Sequence, residues 1–312
     1  MTSEGHPSIV VLGGINMDLV TLTERFPEAG ETVVGSRFLT YAGGKGANQA
    51  VAAARLGARV AMVGRVGTDI FGPQLIDALS ASGVDVSGVG FSANTSSGIA
   101  VISIDETAQN RIIQVLGAND TCGEAEAYQV SEMLSSASVL MLQLEVSIEL
   151  SLRLAQSAFA RGKTVILDPG PVRPLPSAFY SCCSVITPNE TEAQALVGFP
   201  VVDRASAAQA AGALLGQGVS QAIVKLGEQG AYYATIQGGE YVRPFPVQAV
   251  DSVAAGDAFN GALAVALSEG KSLAEGVRMG SAAGALAVTK VGAQDSMPRR
   301  EEVEALLRSR RS

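Results

Sequence analysis

Residues 138–168 read SVLMLQLEVSIELSLRLAQSAFARGKTVILD. A run apolar on both faces (138–144) is followed by a helical pattern (147–161), a Gly at 162, and a second doubly apolar run (164–168). Strands apolar on both faces are covered on both sides, as in parallel sheets flanked by helices. The same unit recurs along the chain. Further strand candidates are SIVVLG (8–13), RVAMVG (59–64), SVIT (184–187) and QAIVKL (221–226). Helical patterns occupy 45–56, 72–82, 191–197, 205–216, 257–269 and 272–290, and Gly57, Gly83, Gly198, Gly218 and Gly270 mark helix ends. The βα alternation predicts an α/β fold with a doubly wound, mostly parallel sheet and helices on both faces. Residues 18–41 and 98–115 instead alternate polar with apolar between turn signals, predicting a small β-sheet lid with one wet face. With no internal repeat or low-complexity linker, the expectation is one domain over 1–312.

Composition removes several functions. The net charge of −8 is wrong for a protein whose main partner is a polyphosphate backbone, so no nucleic-acid partner is expected. No apolar stretch approaches the ~18 residues of a membrane span. The start MTSEGHPSIVV has neither a basic beginning nor a separate apolar block, so a secretory leader is not expected. Three cysteines, Cys182 and Cys183 being neighbours, form no disulfide framework or metal-ligand spacing, and a cytoplasmic location is expected. The only histidine is His6, which excludes histidine bases, Ser-His-Asp triads and His-ligated zinc. Chemistry must run on carboxylates, Lys, Asn and backbone amides.

Ligands of open parallel sheets sit beyond the carboxyl ends of the strands. Asn16, Asp18, Glu145, Asp168, Asn189, Glu192 and Gly227 all follow strand candidates closely and converge on that rim. Gly43, Gly44 and Gly46 in YAGGKGANQAVAAARLG (41–57) permit close backbone approach, with Lys45 and Asn48 as donors. Neither the Walker A pattern nor G-x-G-x-x-G is present. Taken alone, this segment reads equally as a glycine-rich helix start. In AVDSVAAGDAFNGALAVAL (249–267) a lone carboxylate, Asp257, stands among small residues where a helix begins. By itself Asp257 reads more readily as a first-turn acid than as a base. Together with the clustered amides of Ala254, Ala255, Gly256 and Asp257, it supplies what phosphoryl transfer to an alcohol needs: an anion hole and a proton acceptor. NETEA (189–193) taken alone reads as a helix-capping arrangement.

GGINMD (13–18), GGKGANQAVAAARLG (43–57), TPNETEA (187–193), AVDSVAAGDAFNGAL (249–263) and KVGAQDSMP (290–298) together resemble the PfkB carbohydrate kinases, over roughly residues 9–307. The resemblance implies Asp257 as the base for a sugar hydroxyl, with Gly256, Ala255 and Ala254 as the anion hole. It implies Asn16, Asp18, Gly44, Lys45, Asn48 and Glu145 as sugar ligands. Asn189, Glu192, Lys225, Gly227, Gly230, Gly256 and Ser281 would line the nucleotide, with Glu192 serving Mg²⁺ through water. Asp251, Val253, Ala287, Lys290, Gly292 and Ser296 would form a K⁺ loop. The chain departs from the family pattern at Ser281, where many members carry a larger polar residue, and at Lys225, where a small hydroxyl residue is common.

The implied activity is ATP-dependent phosphorylation of D-ribose at its 5-hydroxyl, and the alternating wet-face strands of the lid predict a homodimer joined through it. The alternative acceptors are deoxyribose, fructose or a nucleoside. A sugar-binding module without turnover is a different class of reading, and the intact Gly256–Asp257 pair opposes it.

Overall fold

The computed structural model describes residues 8–107 and 109–309; His6 lies outside them. Its strands are β1 Ile9–Leu12, β2 Asn16–Leu22, β3 Arg37–Gly43, β4 Val60–Gly67, β5 Asp85–Ser92, β6 Gly98–Ile104, β7 Asn110–Val115, β8 Val139–Leu142, β9 Thr164–Leu167, β10 Val185–Ile186, β11 Gln221–Lys225, β12 Ala231–Thr235 and β13 Gly238–Val242. Its α-helices are α1 Lys45–Arg55, α2 Phe71–Ala81, α3 Glu124–Met133, α4 Ile148–Ala160, α5 Ser177–Tyr180, α6 Glu190–Val197, α7 Arg204–Gly216, α8 Ala255–Ser268, α9 Leu273–Ala287 and α10 Arg300–Ser309.

The large sheet runs β13-β12-β11-β10-β9-β8-β1-β4-β5, parallel from β11 to β5, with β12 and β13 added as antiparallel strands. Alternate residues of each strand enter opposite cores. Ile9, Val11, Met141 and Ile166 pack with α1, α8 and α9, whereas Val10, Leu12, Leu140, Leu142 and Leu167 pack with α4 and α7. The expected two-sided burial is therefore observed. Small residues set how close the helices come: a Cβ on Gly261 of α8 would stand 2.6 Å from the Ala52 methyl of α1.

Strand order reverses at β1, since β4 and β5 lie on one side of it and β8 to β11 on the other. Such a reversal opens a crevice beyond the carboxyl ends of the strands. β2 emerges from that point and carries the chain into the second sheet, β3-β2-β6-β7. This sheet matches the expected lid, with two differences. Its strands begin at Asn16 and extend to Gly43, and the two antiparallel pairs β2–β3 and β6–β7 meet along a parallel β2–β6 seam. The parallel pairing is forced by topology, because β2 and β6 both leave the large sheet in the same direction.

Candidate active site

The amino terminus of α8 is built by an unusual turn. Ala254 adopts φ 58°, ψ 11°, a left-handed conformation that costs a residue with a Cβ about 1–2 kcal/mol. The first i→i−4 bond is donated by the Ala258 amide to the Ala254 carbonyl, so the amides of Gly256 and Asp257 lie ahead of it at the positive helix end. At Gly256 a Cβ would stand 3.3 Å from the Lys225 ammonium, so a side chain there would crowd that cation.

Asp257 lies in the first turn of α8 and is 5% exposed. Two neighbours on α1 fix its carboxylate: Asn48 Nδ2 donates to Oδ2 at 2.9 Å and Gln49 Nε2 donates to Oδ1 at 3.0 Å. Burial raises its pKa most strongly; the Lys45 ammonium opposes this, Asp168 adds to it, and the two amide donors lower it. A buried carboxylate lifted in this way is a better proton acceptor than an exposed one.

Asp257 joins two compartments. On one side, a cleft of about 1020 Å³ is lined by Asn189, Glu192, Lys225, Gly227, Gly230, Ser281 and the Ala254–Asp257 turn. All the expected nucleotide residues thus share one cavity. Ser281 Oγ is buried there without a hydrogen-bond partner. Asn189 and Glu192 form a capping box at α6, the Asn189 side chain accepting from the Glu192 amide at 2.8 Å and Glu192 Oε2 accepting from the Asn189 amide at 2.9 Å. The capping reading of this motif is correct, yet Glu192 Oε1 remains outside the box, 3.8 Å from Lys45 Nζ.

On the other side is a buried polar nest at the root of the lid. Glu145 Oε2 accepts from the Lys45 amide at 2.7 Å, which places its charge at the positive end of α1. Its Oε1 accepts from Asn16 Nδ2 at 3.3 Å and also from the Gln114 side chain of β7. Asn119 Nδ2 in turn donates to Asn16 Oδ1 at 2.7 Å. Asp18 is buried with its pKa pushed up to about 7, by desolvation first and then by Glu145 and Asp257. Gly44 has φ 91°, and a Cβ there would stand 2.6 Å from the Gly14 carbonyl oxygen.

Two expected sugar ligands are placed differently from the rest. The Lys45 ammonium faces Asp168 Oδ2 at 3.2 Å and borders the large cleft, so its backbone amide, rather than its side chain, belongs to the polar nest. Asn48 spends its amide nitrogen on Asp257, leaving its buried Oδ1 without a partner. Asp168, a rim residue without an assigned role in the sequence, is a hub: Oδ2 accepts from Lys45 and Gln49, and Oδ1 from Lys225 at 3.4 Å. The two ammoniums hold its carboxyl below the usual range despite burial. Gln49, Gln143, Gln114 and Asn119 were not legible as site residues; buried amides inside a helix or strand pattern carry no motif of their own.

Asp251 ties two loops together, Oδ1 accepting from the Val253 amide and Oδ2 from the Gly292 amide, both at 3.0 Å. Ser296 Oγ is buried and donates to the Ala293 carbonyl at 2.8 Å. The Lys290 ammonium turns away to Glu302 at 2.8 Å, and the Ala287 carbonyl accepts from the Lys290 amide.

An α/β sheet with free amides at a helix start, a buried carboxylate beside them and a polar nest under a small β-sheet is an arrangement suited to phosphoryl transfer onto a hydroxyl. The sequence profile of the pfkB family carbohydrate kinases matches residues 6–300, and the chain belongs to that family. It is 39% identical over 300 residues to a ribokinase of Bacillus subtilis, covering 96% of this chain and 99% of that one. It is 35% identical to a deoxyribokinase of Salmonella typhi, covering 96% and 98%. Its fold superposes on Arabidopsis thaliana ribokinase complexed with ribose and ATP with a TM-score of 0.89, at 35% identity and covering 97% and 99% of the two chains.

Proposed function

We propose that this chain transfers the γ-phosphoryl group of ATP to the 5-hydroxyl of D-ribose, giving ribose 5-phosphate and ADP. The observation that carries the reading is Asp257 itself, a buried carboxylate held by two amide donors at the junction of the cleft and the polar nest. Asp257 accepts the proton of the sugar hydroxyl as that oxygen bonds to the γ-phosphorus and the bond to ADP breaks. The amides of Gly256 and Asp257, with Ala254 and Ala255 shaping the turn, bind the negative charge of the transferring group. Lys45 and Lys225 border the same cleft and add positive charge.

In the nest, Asn16, Asp18, Glu145 and the free Oδ1 of Asn48 match the hydroxyls of a pentose, since carboxylates and amides suit vicinal diols. The 39% identity to a ribokinase supports ribose, and the 35% identity to a deoxyribokinase makes deoxyribose the leading alternative.

The donor set fits a hydrated divalent ion: Glu192 Oε1 lies outside the capping box, and Mg²⁺ keeps most of its waters. Glu192 and Asn189 would hold it, and the ion when bound would neutralise phosphate charge. A monovalent cation fits the loops tied by Asp251, with lone pairs remaining on its carboxylate and on Ser296, and carbonyls of Val253, Ala287, Lys290 and Gly292 as further donors. K⁺ there would stiffen the turn that holds the anion hole. A homodimer through the lid is supported by Phe38, Ile112 and Ile113, exposed to 62%, 56% and 68% on its strands. Three free, buried thiols fit a cytoplasmic location.

Release of ADP, measured with ribose, deoxyribose and fructose, with and without K⁺, tests the assignment. Ribose is expected to give the highest kcat/KM, with K⁺ raising turnover. A higher kcat/KM with deoxyribose or fructose would reassign the acceptor. Light scattering at micromolar concentration should give the mass of a dimer, and a monomer mass would remove the lid interface.

A further inference from the structure

Gln49 has one face of its amide against two acids and the other against a second buried amide. Its Nε2 donates to Asp257 Oδ1 at 3.0 Å and to Asp168 Oδ2 at 2.9 Å. Its Oε1 accepts from Gln143 Nε2 at 2.7 Å. Gln49, Gln143, Asp168 and Asp257 are all buried, at 1%, 0%, 1% and 5% exposure. Ionised carboxylates only accept, so the amide nitrogen must face them and the oxygen must face Gln143. Turning the amide over would set its oxygen against two negative groups. The orientation of Gln49 is therefore dictated by chemistry, and each of its two amide hydrogens serves one acid.

We propose that Gln49 is a positioning residue for phosphoryl transfer, locking the Asp257 carboxylate in register with Asp168 while Gln143 braces it from behind. The inference rests on the reading of Asp257 as the base. Asn48 already holds Oδ2 of Asp257, but a carboxylate fixed through one oxygen still swings about that contact. The bond from Gln49 to the other oxygen removes this freedom, and α1 supplies both donors from adjacent positions. Through Asp168, the same amide links the base to the Lys45 and Lys225 ammoniums that border the nucleotide cleft. The proton acceptor and the phosphate-facing cations are thereby held by a single buried network.

The groups facing Asp257 set the sign of a pH test. They are Lys45, Asn48 and Gln49 from α1, Asp168 after β9, Asp18 from β2 and Glu145 after β8, with Lys225 of β11 beside Gly256. The Gln49 donor favours the ionised base. Its removal destabilises the charged form, and the acid limb of kcat/KM moves to higher pH.

In Gln49→Met, kcat is expected to fall about 10- to 100-fold, the upper figure being what a misplacement of ~1 Å costs, with KM for ribose little changed. The loss should be greatest at low pH and narrow as pH rises. Gln143→Met, which touches neither acid, should shift the limb the same way by less. The role is overturned if a folded variant of either kind keeps the wild-type limb, or loses activity equally at every pH. Asp257→Asn separates the two readings. If it abolishes turnover while Gln49→Met leaves the limb in place, only the Gln49 role fails; near-normal turnover in Asp257→Asn removes the base.

Discussion

Asp18 shows how far this site departs from what folding alone would choose. Its pKa of about 7 in the folded chain exceeds the ordinary value of 3.8, so the native state binds a proton that the unfolded state releases. Its favourable contribution is complete below about pH 4 and is lost as pH rises through 7. Asp18→Asn should therefore gain thermal stability over the wild type progressively from pH 4 to 7, with a constant advantage above, while ribose binding weakens. Melting curves across that range check it; an advantage that shrinks as pH rises would refute the shift. The same residue marks what could be read beforehand. Asp18, Glu145 and Asp257 were identifiable because isolated acids after strands or at a helix start stand out. Gln49 and Gln143 were not, because their partners lie 94 to 208 positions away in sequence and only the sheet brings them together.

Helix α8 was readable in outline, since its apolar stripe and small-residue entrance predicted a start near Gly256. The left-handed Ala254 was not, because an alanine gives no warning of positive φ where a glycine would. Two effects oppose each other there. Relief of the Cβ strain is worth about 1–2 kcal/mol, and the extra freedom of glycine in the unfolded chain costs about 0.5–1 kcal/mol. Relief wins, so Ala254→Gly should raise Tm by roughly 2 °C. A lower Tm would show that the turn is not strained at that residue. The capping box at α6 teaches a related lesson. The cap and the candidate metal contact are different oxygens of Glu192, so the structural and functional readings of NETEA are compatible.

The doubly wound sheet was legible because β1, β8, β9 and β11 are apolar on both faces, a pattern with few alternatives. The edge elements escaped. β5, β12 and β13 were not anticipated; β5 carries Gly88 and Gly90 and β13 opens with two glycines, which blurs the strand pattern in those two. The parallel β2–β6 pairing escaped for another reason, being set by where both strands leave the large sheet rather than by local sequence. What the architecture achieves is a shared boundary. The strand reversal at β1 puts the amino ends of α1 and α8 at one crevice, so the donors of α1 and the proposed anion hole of α8 meet at Asp257. Turnover and ribose affinity of Asp257→Asn, measured on one preparation by ADP release and by calorimetry, test that arrangement most directly. A proton acceptor of this kind contributes about 10²- to 10⁴-fold, so kcat should fall by that factor with ribose still bound. Retained turnover, or loss of ribose binding with kcat intact, would contradict it.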